Sequence, residues 1–153
     1  MIEDDVVRRI STELTYDLRG KVLRPGRPEE DCQFSGDDHE ATVHFGAYAG
    51  DRIVAIASLY RRNQTGLTTE DAWQLRGMAT DEAVRGEGYG KLLVARCLHH
   101  AIDRDAVTVW CNARASARGF YEGLGFNLVG EKFEIPGVGP HFLMEIDPVR
   151  FAD

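Results

Sequence analysis

Leu14, Leu18 and Val22 recur four residues apart within "TELTYDLRGKVL", the spacing that gathers apolar side chains on one face of a helix. Ser11 or Thr12 stands where an N-cap would, so the pattern predicts a helix packed on a core after a short strand, "VVRRI". From Ala41 the period shortens to that of strands. "ATVHFGAYA" and "RIVAIASLY", joined at Gly50-Asp51, predict a hairpin. The polar stretch "RRNQTGLTTED" then leads into a third strand, "AWQLRGMAT". A helix is predicted from Gly90 to about Asp103, with Val94, Cys97, Leu98, Ala101 and Ile102 along one stripe. "AVTVWCN", rich in β-branched and aromatic residues, predicts a central strand buried on both faces. "RASARGFYEGLG" predicts a short helix with Ala117, Phe120, Tyr121 and Leu124 on one face, and "FNLVGEKFEI" and "HFLMEI" a final strand pair around "PGVGP".

This order of elements predicts a mixed α/β (α+β) domain with a mixed sheet, and the unit spanning residues 73–112 predicts a right-handed parallel crossover. A chain of 153 residues fits one domain, residues 1–153. One stretch resists both periods. Residues 24–40 combine Pro25, Gly26 and Pro28 with the carboxylates of Glu29, Glu30, Asp31, Asp37, Asp38 and Glu40, which predicts a long loop. Its charge either draws a cationic amine or is simply solvated.

The net charge of −7 argues against nucleic acid and anionic membrane as partners. "MIEDDVVRRI" lacks the pattern of a secretory signal, and "IVAIASLY" is too short to span a bilayer, so a soluble, cytoplasmic protein is expected. Cys32, Cys97 and Cys111 are odd in number and widely spaced, which predicts reduced thiols rather than disulfides or a zinc site. His99 and His100, adjacent on a helix, point about 100° apart; one half-buried and one solvated ring is expected, and no metal.

"VRGEGYGKLL", Val84 to Leu93, sets three alternate glycines before an apolar helix. Such a loop suits an anion, because glycine allows close backbone approach and a helix N-terminus presents unpaired N–H groups, but taken alone it fits a mobile turn equally well. The dinucleotide fingerprint GxGxxG fails: counted from Gly86 its last position is Lys91, and from Gly88 it is Leu93. The phosphate loop GxxxxGK[ST] fails too, since Leu92 follows Gly90-Lys91 and Arg85 takes the place of its first glycine.

What remains is Arg85-x-x-Gly88-x-Gly90. This loop resembles the [RQ]-x-x-G-x-[GA] signature of the GNAT superfamily of acetyl-coenzyme A-dependent N-acetyltransferases. The resemblance extends through "LRGMATDEAVRGEGYGKLLVARCLHHA" and "VWCNARASARGFYEGLGF", is specific from about Leu75 to Phe126, and suggests a small stand-alone member. It implies a GNAT-like fold, with about six to seven strands flanked by about four helices and splayed parallel strands forming an acetyl-CoA cleft. It further implies that the main chain of Met78, Ala79 and Thr80 pairs with the pantetheine amides, while the loop Arg85, Gly86, Glu87, Gly88, Tyr89, Gly90 and Lys91 surrounds the pyrophosphate. Glu87 is expected to contribute its N–H and keep its side chain in solvent. Asn112 matches a position that bonds the cofactor arm, and Tyr121 matches the family's general acid.

The implied reaction is acetyl transfer from acetyl-CoA to a primary amine of a small molecule or a protein, by direct attack in a ternary complex. An ammonium must first lose a proton, and His44, Glu134 and His141 are the candidate bases. Trp73 and Phe133 either line an acceptor pocket or belong to the core. Competing readings are a non-catalytic acyl-CoA-binding sensor or partner module, and binding of another nucleotide. The acceptor and the oligomeric state, a homodimer included, stay open.

Overall fold

Among the described residues, alternating and fully apolar runs form seven strands: β1 (Val7–Ile10), β2 (Val43–Ala49), β3 (Arg52–Arg61), β4 (Ala72–Thr80), β5 (Thr108–Arg114), β6 (Asn127–Ile135) and β7 (Gly139–Ile146). The α-helices among the described residues are α1 (Tyr16–Leu18), α2 (Tyr89–Asp103), α3 (Arg118–Gly123) and α4 (Pro148–Ala152). The computed structural model describes residues 6–64 and 71–152; part of the polar stretch 61–71 and of the N-terminal sequence lies outside them. The strands form one mixed sheet in the order β1-β2-β3-β4-β5-β7-β6. Packing divides the chain into two compact units. The first holds the residues up to Tyr60 together with Leu75–Cys97, the second Arg61–Gln74 and the residues from Leu98.

In the first unit β2 pairs antiparallel with β1 and with β3, the turn falling at Gly50 as the sequence predicts. Val43, Phe45, Ala47 and Val54 to Ala57 lose all or nearly all contact with water. Leu18 joins Ile10, Ile56 and Ala79 in a buried cluster.

The N-terminal helix departs from the predicted stripe. Its winding changes from a 3-10 turn (Thr12–Thr15) through α1 to a π turn (Arg19–Leu23). A stripe spaced for 3.6 residues per turn drifts off the core when the winding tightens and then widens. Leu18 stays inside at 3% exposure, whereas Leu14 turns out at 50%. Arg19 is buried instead, fully.

The acidic loop is also not a purely solvated segment. It contains a 3-10 turn, Glu29–Cys32, and it buries Cys32, Phe34 and Asp37. These three residues make it a cover over part of the first unit's polar interior.

In the second unit β4 and β5 pair in parallel over Ala72–Thr108, Trp73–Val109 and Gln74–Trp110. The antiparallel ladder of β5 with β7 runs on to Arg114–His141, and β6 pairs with β7 on its far side. Leu98 and Ala101 of the predicted α2 stripe are buried here, as Val94 and Cys97 are in the first unit. His100 is buried edge-on to Trp73, with centroids 5.7 Å apart, while His99 is exposed. The four-residue face predicted on α3 is only partly inward: Tyr121 is buried, Ala117 and Leu124 are half-buried and Phe120 is exposed. A 3-10 turn, Ala115–Ala117, precedes this short helix and shifts its phase.

Candidate functional site

The glycine loop occupies the expected place, between the end of β4 and the start of α2. Asp81 fixes its entry. The Asp81 N–H donates to Val54 O at 2.7 Å, and its carboxylate accepts from the Ala83 N–H at 3.0 Å and from Lys21 Nζ at 3.2 Å. These bonds, the one from Ala83 foremost, hold the carboxyl below its ordinary range, so it is ionised at neutral pH. Arg85 Nε reaches back to Thr80 O at 3.3 Å, closing the loop on the strand.

Gly86 and Gly88 adopt φ +85° and +98°, conformations in which an L side chain is strained. Their N–H groups have no main-chain acceptor among the described residues. The Leu92 N–H bonds Gly88 O at 3.3 Å, which makes Gly88 the cap and leaves the N–H groups of Tyr89, Gly90 and Lys91 as the unpaired first turn of α2. Gly90 itself has no positive φ, so its lack of a side chain is not a conformational need. Glu87 is exposed as expected, but its N–H donates to Val84 O at 3.3 Å and so is not free for an anion as the sequence suggested; the Arg85 N–H is likewise taken, by Glu82 O at 3.4 Å. The array of amides and helix dipole is a site for an anion.

Met78 and Thr80 are half-buried and Ala79 is buried, all on the last turn of chain before Asp81. A left-handed residue, Gly77 at φ +70°, lies within β4 just before them. In the second unit Asn112 lies on β5 with its side chain exposed. Tyr121 is 6% exposed, edge-on to Phe120 and Phe126 at 5.1 and 5.3 Å.

The three candidate bases differ sharply. His44 is buried with Nε2 at 3.1 Å from Asp37 O, a carbonyl that can only accept, so Nε2 carries the proton. Its Nδ1 then accepts from the Ser58 hydroxyl at 2.6 Å. Burial, opposed by the Asp37 carbonyl and charge, holds its pKa below the ordinary value, and no lone pair is left for a substrate. Glu134 is exposed. His141 is buried, and its Nδ1 lies 2.8 Å from Gly139 O, which sets the tautomer that leaves the lone pair on Nε2. Trp73 is core, at 2% exposure, and Phe133 is half-buried beside His141.

A feature that sequence reasoning missed lies under the acidic loop. Arg19 donates to both Asp37 oxygens at 2.7 and 3.0 Å, to Cys32 O at 2.9 Å, to Ser58 Oγ at 3.0 Å and to Tyr60 Oη at 3.2 Å. Tyr60 Oη donates in turn to Asp37 at 2.5 Å. Burial pushes the Asp37 pKa up, but bonds from Arg19, Tyr60 and the Phe34 N–H, with the Arg19 charge, outweigh it and leave the pKa lowered. Burial raises Tyr60 to about 12, and Cys97 and Cys111 likewise to about 12, so none of these supplies an anion at neutral pH. The sequence did carry one signal: His44, Ser58 and Tyr60 are polar residues on otherwise apolar strands. Beside this network an open groove of about 400 Å³ is lined by Arg9, Thr12, Glu13, Asp38 and Glu40, among others.

Among the described residues no group of three or more His, Cys, Asp or Glu could hold a metal ion, and no helix is long and apolar enough to cross a membrane.

Residues 9–126 match the acetyltransferase (GNAT) family, and the chain belongs to that family. It is an acyltransferase with the GNAT fold. It is 38% identical over 138 residues to the uncharacterized N-acetyltransferase YitI of Bacillus subtilis (strain 168), covering 90% of this chain and 93% of that one. Protein ElaA of Escherichia coli (strain K12) is 28% identical over 133 residues, 80% of each chain. The crystal structure of Escherichia coli ElaA has a TM-score of 0.73 at 23% identity, covering 95% of this chain and 99% of that one. An aminoglycoside 6'-N-acetyltransferase complexed with coenzyme A shares the fold, with a TM-score of 0.72 at 15% identity over 97% of both chains.

Proposed function

We propose that the protein, acting as a single domain over residues 1–153, transfers an acetyl group from acetyl-CoA to a primary amine of a small molecule or a protein, by direct attack in a ternary complex. The observation that carries this reading is the loop with left-handed Gly86 and Gly88, whose free amides continue into the unpaired first turn of α2. Family membership makes the pyrophosphate of coenzyme A the anion such a loop would take.

When bound, acetyl-CoA supplies the acetyl group as an activated thioester. Within the Arg85 to Lys91 loop the free N–H groups of Gly86, Gly88, Tyr89, Gly90 and Lys91 would hold the pyrophosphate, and the Met78, Ala79 and Thr80 main chain would pair with the pantetheine arm. Asn112 adds a hydrogen bond to that arm. As the amine nitrogen bonds the carbonyl carbon and the C–S bond breaks, Tyr121 Oη gives a proton to the departing sulfur. The nitrogen sheds its own proton to water or to a base, and of the three histidine and glutamate candidates only His141 is buried with a lone pair left on a ring nitrogen.

The test is thiol release from acetyl-CoA with a panel of polyamines, amino sugars, amino acids and peptides. Turnover with at least one amine is expected, and Tyr121→Phe should cut kcat by about a hundredfold while coenzyme A still binds. Tight binding with no turnover on any amine would instead favour a non-catalytic acyl-CoA-binding module. A calorimetric preference for ATP or NAD over coenzyme A would end both readings.

A further inference from the structure

We propose that Phe34 and Arg19 are positioning residues for acetyl transfer: they hold the left-handed kink at Gly77 and so set the direction in which the Met78, Ala79 and Thr80 main chain meets the acyl thioester. The proposal rests on the acetyl-transfer reading above and names residues outside the resembling motifs.

The kink is a fixed point on β4. Gly77 adopts φ +70°, and a Cβ built there would lie 3.4 Å from Phe34 Cε2, 3.6 Å from Arg19 Nε and 3.8 Å from Arg19 Nη2. A ring edge and a guanidinium therefore cover the kink at van der Waals distance. Phe34 also holds the residue before it: the Arg76 guanidinium carbon lies 4.2 Å from the Phe34 centroid, and that of Arg19 lies 4.0 Å away. With Arg24 at 5.4 Å, one ring thus meets three guanidinium groups, the two nearest being those of Arg19 and Arg76, together with the glycine that Arg76 precedes.

Arg19 is in turn held by its partners. It is fully buried, with its two terminal nitrogens engaged by Asp37, Cys32 O, Ser58 and Tyr60. Its remaining donor is the telling one. Arg19 Nε is buried, has no hydrogen-bond partner among the described residues, and is one of the atoms packed nearest the kink. A buried unpaired donor is a cost, and buried ion pairs are seldom the cheapest way to stabilise a core. A residue kept under both conditions is explained by where it puts its neighbours.

What it puts in place is the segment of main chain proposed to contact the acyl arm. Hydrogen bonds weaken steeply with angle, and misplacing a reacting group by about an ångström costs about a hundredfold in rate. The pyrophosphate loop is anchored separately, through Asp81 to Val54 and Ala83. The kink therefore governs the reacting end of the cofactor and not its phosphate end.

The variants are Phe34→Leu, Arg19→Lys and, as the conservative rescue, Phe34→Tyr. Calorimetry gives the affinities for coenzyme A and for acetyl-CoA, steady-state kinetics give kcat and KM on a responsive amine, and thermal melting reports folding. Phe34→Leu is expected to leave coenzyme A affinity within about twofold, weaken the preference for acetyl-CoA over coenzyme A by about fivefold and lower kcat by about tenfold, with Phe34→Tyr close to the parent. Should Arg19→Lys fail to fold, the phenylalanine pair decides the matter. A lower melting midpoint with kcat and the affinity ratio unchanged would overturn the proposal, since it leaves Phe34 a structural role only. If the parent protein turns over no amine, the acetyl-transfer reading fails on its own. The affinity ratio, which needs no turnover, then tests the kink: a ratio unaltered in the variants overturns it.

Discussion

Two regions of the first unit solve opposite problems with polar groups. Under the acidic loop, side chains do the bonding: Arg19, Asp37, Ser58, Tyr60 and His44 are buried and satisfy one another through donors and acceptors in nearly complete register. In the glycine loop the side chains are mostly exposed or missing, and the N–H groups of Gly86, Gly88 and the first turn of α2 have no main-chain acceptor among the described residues. The first arrangement is closed to ligands because its capacity is used up. The second is open because glycine at positive φ turns amides outward without a Cβ over them. Rigidity and receptivity are thus separated along the chain.

Substitutions should pull the two apart. The largest effect is expected from Asp37→Ala, which strands the Arg19 charge in the interior and should cost about 3–5 kcal/mol of stability, read by denaturant unfolding. Coenzyme A affinity of the folded fraction should stay within about threefold, because the loop amides do not depend on that pair. Gly88→Val should do the reverse: about a hundredfold loss of coenzyme A affinity, measured by calorimetry, from lost charge-assisted bonds, with a stability cost of only about 1–2 kcal/mol for the strained φ.

A smaller effect comes from pH. His44 and Asp37 both have folded pKa values below their ordinary ones, 6.5 and 3.8, so the unfolded chain takes up protons first as the pH falls. Stability is fully present above about pH 6.5, declines below it as His44 is driven to protonate, and declines again below about pH 3.8 as Asp37 follows. Melting midpoints measured from pH 8 to pH 4 in about half-unit steps should show this first decline, and His44→Gln should remove it. The least effect is expected from Arg85→Ala. Its side chain is exposed and makes one long bond to Thr80 O, so affinity should fall by only about two- to fivefold.

The strands and α2 were legible because their apolar period reports burial directly, residue by residue. β4 falls on the predicted "AWQLRGMAT" to the residue. The glycine loop was legible because its conformational demand is local, met by Gly86 and Gly88 within the motif itself. The Arg19 network was not, for the opposite reason. Its partner lies eighteen positions on, among carboxylates that nothing local tells apart. The change of winding that turns Arg19 inward and Leu14 outward accompanies that tertiary bond, which local propensity does not report. Cys32 and Phe34, apolar residues set in an acidic stretch, were the visible trace that the stretch is partly interior.

Among the described residues the strand order also leaves β1 and β6 as margins of the sheet. A free margin is a template on which a foreign strand can add, and isolated charge along it is a common defence. β1 carries Arg8 and Arg9, both exposed, and β6 carries Glu131, Lys132 and Glu134, all exposed. A chain that must keep a row of unpaired amides available at its glycine loop gains from having charge on both margins, where unpaired amides would otherwise recruit neighbours into aggregates.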